Sequence, residues 1–185
     1  MIPEQFRKTI LFLKERIPSS VRWAIDGSTS LAIHGVDIIP HDIDILTDCE
    51  GAYRIQDALK DCSVKPISHS FNGRYDSHFG TFSINGTKVE VMGDLKVFRD
   101  GRWSDIENPS TVDVVEINVG GLSVPVVSMK HHGSSGYLEE KYEKGEISKD
   151  QYDRMREDLG GIMVITKEHS GKGGKIGERK DGRLR

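Results

Sequence analysis

Residues 26–48 read DGSTSLAIHGVDIIPHDIDILTD, and the last third of this stretch decides the fold. In DIDIL (42–46) acids and aliphatics alternate, which predicts a strand with Asp42 and Asp44 on one face and Ile43 and Ile45 on the other. Two carboxylates that close repel each other. Burying them costs several kcal/mol unless they are paired or bind a metal. A hard divalent cation such as Mg²⁺ removes the conflict, because it takes oxygen ligands. A third acid from a neighbouring strand would complete the set. Glu90 in KVEVMGD (88–94) is the first candidate, flanked by Val89 and Val91, and Asp94 is the reserve.

Upstream, VRWAID (21–26) reads as a short buried strand and Gly27 as a turn. Ser28 is the expected N-cap of a helix over STSLAIHGV, which Gly35 closes. A glycine lets a ligand approach the backbone, and the start of a helix offers free N–H groups to an anion, so a phosphate fits at Gly27-Ser28. Metal ions beside such a phosphate site are the parts of two-metal phosphoryl or nucleotidyl transfer.

Further out, Phe6, Ile10, Leu13 and Ile17 line one face of a helix over 3–17 that Pro18 ends. A second helix is expected over 47–61, capped by Thr47 or Asp48. Strands at 78–84 and 88–94 flank Asn85-Gly86, a strong hairpin signal, and strands at 111–119 and 122–127 flank Gly120-Gly121. The fold class is α+β, a mixed β-sheet with flanking helices. Residues 1–130 are expected to form the main domain, and 131–165 a charged helical segment. That segment reads as two short helices around Gly145, sharing a seam of Leu138, Tyr142, Ile147, Tyr152, Met155 and Leu159. The Gly-, Lys- and Arg-rich stretch 166–185 is expected to lack structure, and its charge to serve solvation ahead of RNA contact.

The 185 residues are 36% hydrophobic and 30% charged with a net charge of −3, which suits a globular protein and argues against a general nucleic-acid binder. Two cysteines, Cys49 and Cys62, do not make a disulfide framework. The N-terminus lacks a signal-peptide pattern, and no apolar run approaches the roughly 20 residues that span a bilayer. The expectation is a cytoplasmic protein with no membrane partner.

Gly27-Ser28, then Asp42-Ile43-Asp44, then Val89-Glu90-Val91 resemble the signature of the nucleotidyltransferase superfamily of the DNA polymerase β type. The resemblance spans residues 21–94 and, more loosely, reaches 127. The wording HDIDILTD…SHFG…KVEVMGD is most similar to small stand-alone nucleotidyltransferases of thermophilic bacteria and archaea. The resemblance implies that Asp42, Asp44 and Glu90 hold two Mg²⁺ ions, with Glu90 also activating the acceptor hydroxyl. It implies that Gly27 and Ser28 hold the triphosphate of an NTP such as ATP. The activity implied is transfer of a nucleoside monophosphate to an acceptor hydroxyl on a protein, an RNA or a small molecule, with a homodimer or a partner protein as possible assemblies. The alternatives are a non-catalytic nucleotide-binding or regulatory module on the same fold, such as a toxin–antitoxin component, and a protein-interaction domain.

Plainer roles compete for several residues. Glu90 could pair with Lys88 instead of a metal. His34, His41, His69, His78 and the His131-His132 pair lack zinc-like spacing with the cysteines, so structural roles are expected. Lys96 and Arg74 are candidate partners for a triphosphate. Ser77 and His78 are expected on a loop bordering the site, and Trp23 and Trp103 in ordinary packing.

Overall fold

The computed structural model describes residues 2–99 and 101–158, so Leu159 and the stretch 166–185 lie outside the described residues. Helix α1 (Glu4–Arg16) buries Ile10 and Leu13 completely and stops just before Pro18, as the periodicity requires. Strand β1 (Trp23–Asp26) leads straight into helix α2 (Gly27–Ile33). Here the expected cap is wrong. Asp26 occupies the cap position without a side-chain cap bond, and Ser28 is already the second helical residue. Gly27 takes φ +65° and turns the chain from strand to helix in one step, which leaves Ser28 no extended position to fill.

Strand β2 (Ile43–Thr47) and helix α3 (Cys49–Ala58) follow, and Asp48 caps α3 by accepting the Gly51 N–H at 2.6 Å. Next come β3 (Ser63–Phe71), β4 (Tyr75–Ile84), β5 (Thr87–Arg99), the short β6 (Arg102–Trp103), β7 (Val114–Val119) and β8 (Leu122–Val127). Asn85 and Gly86 both have positive φ, the requirement of a tight turn whose twist matches its strands. Strand β3 escaped the sequence reading. It carries Pro66 and register shifts between Ser63 and Ser68, both tolerated because β3 is an edge strand.

The sheet runs β3-β4-β5-β2-β1-β8-β7, with β6 paired to β5. Strand β2 is antiparallel to β1 and parallel to β5, and β1 is parallel to β8, so the sheet is mixed and open. One face buries Ile25, Ile43, Ile45, Val89 and Val91 against α1 and α3. Each such side chain contributes about 1.5–3 kcal/mol through burial. Alternation then sends Asp26, Asp44 and Glu90 to the opposite face.

The C-terminal helices cover part of that second face. They are α4 (Met129–Ser134), α5 (Tyr137–Glu143) and α6 (Lys149–Asp158). Leu138, Ile147 and Met155 pack with Leu31 and Val36, joined by half-buried Tyr152, so the predicted seam closes on α2. Tyr142 stacks on Tyr152 with ring centroids 5.0 Å apart. Both cysteines are free. Among the described residues, no helix is long and apolar enough to cross a membrane.

Candidate active site

The register of three strands builds the site. Asp26 of β1 lies opposite Asp44 of β2, and Asp44 lies beside Glu90 of β5, so three acids form a row across the sheet. Asp42, just before β2, adds a fourth. Asp42, Asp44 and Glu90 each offer a carboxylate oxygen, and these atoms all lie within 4.8 Å of one another. The donor set is all oxygen and anionic, which suits a hard divalent cation. Burial and the charges of Asp42, Asp26 and Glu90 push the Asp44 carboxyl well above its ordinary value of 3.8. A cation between these groups would oppose that shift.

Lys88 already brings one positive charge there. Its ammonium lies 2.8 Å from Asp42 Oδ2 and 2.8 Å from Glu90 Oε1. Hydrogen bonds to Asp42 and then to Glu90 hold the ammonium well above its usual range. The pairing of Glu90 with Lys88 is therefore real, and it takes place inside the carboxylate cluster. Lys88 is 53% exposed, so its side chain can leave without unpacking the core.

Gly27 is required twice over. Besides its positive φ, a Cβ built on it would lie 2.2 Å from Asp44 Oδ2. The turn backbone therefore packs directly against the carboxylate. Thr29, buried in α2, donates its hydroxyl to the Asp42 carbonyl at 2.6 Å and fixes the approach of the chain to β2. Gly27 lines the cavity over the acids, whereas Ser28, 8% exposed, is not among the lining residues described. Asp94 sits elsewhere, accepting the Asn108 amide at 2.8 Å. His41 is exposed.

The cavity has a volume of about 500 Å³. Beyond the acids, its walls include Ser77 and Phe79 of β4, Arg99 of β5, His132 of α4 and Tyr137 of α5. Ser77 and His78 lie within β4, not on a loop. Ser77 lines the cavity, while His78 meets the Tyr53 hydroxyl at 3.1 Å. Lys96 lines a neighbouring groove, and Arg74 pairs with Glu140.

The sequence offered His132 only as half of a His131-His132 pair without zinc-like spacing, and the fold-back of α4 brings it to the cavity. Ser30 gives its hydroxyl hydrogen to the Val127 carbonyl at 2.9 Å, so it must accept from His132 Nε2, also at 2.9 Å. Burial pushes the His132 pKa down to about 3, so the ring is neutral. Its approach to Asp26 at 3.8 Å is thus no ion pair. Burial likewise raises the Asp26 carboxyl. Burial, then the charges of Asp26 and Asp44, keep the Tyr137 phenol protonated far above its usual range. The floor is thus crowded with carboxyl groups, with neutral hydrogen-bonding groups beside it.

The family model described as aminoglycoside-2''-adenylyltransferase matches residues 11–157. A protein of Thermotoga maritima with a crystal structure, described as a candidate nucleotidyltransferase, is similar at 30% identity and a TM-score of 0.69. That alignment covers 86% of this chain and 95% of the other. The structure of ANT(2'')-Ia in complex with adenylyl-2''-tobramycin aligns at 13% identity and a TM-score of 0.51, covering 84% of this chain and 88% of that one. At such identity the likeness shows the fold alone. No curated protein matches the chain.

Proposed function

The chain belongs to the aminoglycoside-2''-adenylyltransferase family, and from that footing we propose that it is a divalent-cation-dependent nucleotidyltransferase, moving a nucleoside monophosphate from an NTP to an acceptor hydroxyl. The observation that carries the reading is the convergence of Asp42, Asp44 and Glu90 within 4.8 Å. These residues would hold Mg²⁺. When bound, the metal supplies charge stabilisation at the transferring phosphoryl group and lowers the pKa of a hydroxyl beside it. Glu90 accepts the proton of the acceptor hydroxyl. Gly27 and Ser28 are the residues proposed to meet the triphosphate. Lys88 leaves the Asp42–Glu90 gap when the nucleotide arrives. Tyr137 and neutral His132 orient groups by hydrogen bonding and carry no charge themselves. The family's name makes an amino sugar bearing free hydroxyls the first acceptor to test, and ATP the first donor.

The test is pyrophosphate release and adenylyl transfer from ATP with Mg²⁺ across a panel of aminoglycosides, using wild type and Asp44→Asn. Loss of transfer in a folded Asp44→Asn protein is the expected result. Transfer that survives this substitution would remove the assignment.

One observation favours a second reading. Lys88 bridges Asp42 and Glu90 at 2.8 Å each, an internal ion pair that suits a non-catalytic nucleotide-binding module. That module would bind ATP and release no pyrophosphate with any acceptor.

A further inference from the structure

Arg99, Ser135 and Glu140 line both the cavity over the acids and a neighbouring cavity of about 910 Å³. Between the two, Glu140 of α5 meets cations from three separate segments. Arg74 Nη2, from the turn between β3 and β4, lies 2.6 Å from Glu140 Oε1. Lys144 Nζ, just past α5, lies 2.6 Å from the same oxygen. Arg99 Nη2, at the end of β5, lies 3.8 Å from Oε2. Three cations thus share one carboxylate. Glu107 lies 3.5 Å from His131, and Glu139 accepts the Tyr152 hydroxyl at 3.0 Å on one oxygen while its other, Oε2, is buried with no hydrogen-bond partner among the described residues.

The fit of Glu140 to Arg99 is poor in a specific way. Arg99 Nη1 donates to the Ser135 carbonyl at 2.5 Å, which fixes the guanidinium plane. Its Nε is buried with no hydrogen-bond partner among the described residues. Buried donors are seldom left so, and an orphan of this kind points to an acceptor that belongs there. A guanidinium presents neighbouring N–H groups that match the spacing of two oxygens on one phosphate or carboxylate. Glu140 reaches Nη2 only at 3.8 Å and leaves Nε empty, so it does not use that fork.

We infer that the nest of Arg74, Arg99 and Lys144 is a binding site for a phosphate group, and that Glu140 is its resident placeholder, displaced when the phosphate enters. The inference rests on the nucleotidyl-transfer reading only for the source of the group, which is either the NTP or a phosphorylated acceptor.

The test is isothermal titration of the full chain with inorganic phosphate and with tripolyphosphate, without nucleotide. The proteins are wild type, Glu140→Gln and Arg99→Lys. Glu140→Gln removes the competing charge and is expected to bind at least tenfold more tightly. Arg99→Lys keeps the charge but not the fork, and is expected to bind at least tenfold more weakly. Equal affinity in all three proteins, or no binding by any, overturns the inference. If circular dichroism shows that Glu140→Gln loses helix, Arg99→Lys alone decides. Repeating the phosphate titration with a saturating non-hydrolysable ATP analogue and Mn²⁺ separates the sources. Exclusion of phosphate assigns the nest to the nucleotide, and continued binding assigns it to the acceptor. Failure of the analogue to bind would count against nucleotidyl transfer while leaving the phosphate isotherms, and the nest, in place.

Discussion

Replacing Gly27 with alanine tests how the turn and the carboxylate cluster are joined. Two costs add. At φ +65° an L-residue sits in the left-handed region, which costs about 1–2 kcal/mol. The new Cβ also falls 2.2 Å from Asp44 Oδ2 and 3.1 Å from Asp44 Cγ, so the carboxylate must rotate. Its row neighbours Asp26 and Glu90 stand on either side, and relief of such overpacking costs roughly 1–3 kcal/mol more. A total of about 2–5 kcal/mol lowers the Tm of a chain of this size by about 4–20 °C. Gly35→Ala is the control, since Gly35 has φ +93° with nothing among the described residues within 4 Å of where its new methyl would sit, and it bears the backbone cost alone. Thermal unfolding by circular dichroism, with and without Mn²⁺, reads both effects. Gly27→Ala should melt below Gly35→Ala and lose the Mn²⁺-dependent rise in Tm expected of wild type. Equal melting of the two variants, with Mn²⁺ stabilisation retained in both, would refute the contact between turn and carboxylate.

Three further outcomes are expected. Lys88→Met leaves Asp42 and Glu90 without their cation, so its Tm without metal should fall below wild type and recover when Mn²⁺ is added; a Tm independent of Mn²⁺ would count against a cation position there. His132 is neutral when folded, with a pKa pushed down from 6.5 to about 3, so the unfolded chain binds the extra proton and stability falls as pH drops through that interval. His132→Gln should flatten this part of the stability profile relative to wild type, and parallel profiles would show that the ring is not buried as described. Gly93→Ala places a methyl 2.9 Å from the Asp48 carbonyl oxygen and 2.9 Å from Ala52 Cβ, so α3 must lift from β5 and the Tm should drop by several degrees; an unchanged melting curve would place the helix elsewhere.

What was legible in the sequence was local. Alternation in DIDIL and KVEVM set both the strands and the face their acids share, and Asn85-Gly86 marked the hairpin between β4 and β5. The parallel pairing that sets Asp44 beside Glu90 is long-range, and the acid spacing hinted at it without giving the register. Strand β3 was hidden because Pro66 and its irregular register break the period-2 pattern, a freedom that an edge strand has. Ser28 looked like a cap because the glycine before it reads as an ordinary turn. The strand instead passes into α2 at Gly27 itself. Tyr137 and Arg99 carried no signal as site residues, and His132 stood out only as half of a His131-His132 metal-ligand pair. They reach the cavity only through the fold-back of α4 and α5 and the length of β5, and no spacing in the chain encodes that meeting.

The claim that Asp42, Asp44 and Glu90 form a cation site for nucleotidyl transfer is tested most directly by crystals grown with Mn²⁺ and a non-hydrolysable ATP analogue. An anomalous difference map locates the metal without assumption. The expected result is a peak coordinated by oxygens of these three carboxylates, with the Lys88 ammonium displaced from the gap between Asp42 and Glu90. A map with the analogue bound but no metal at the three acids, and Lys88 still bridging Asp42 and Glu90, would contradict it.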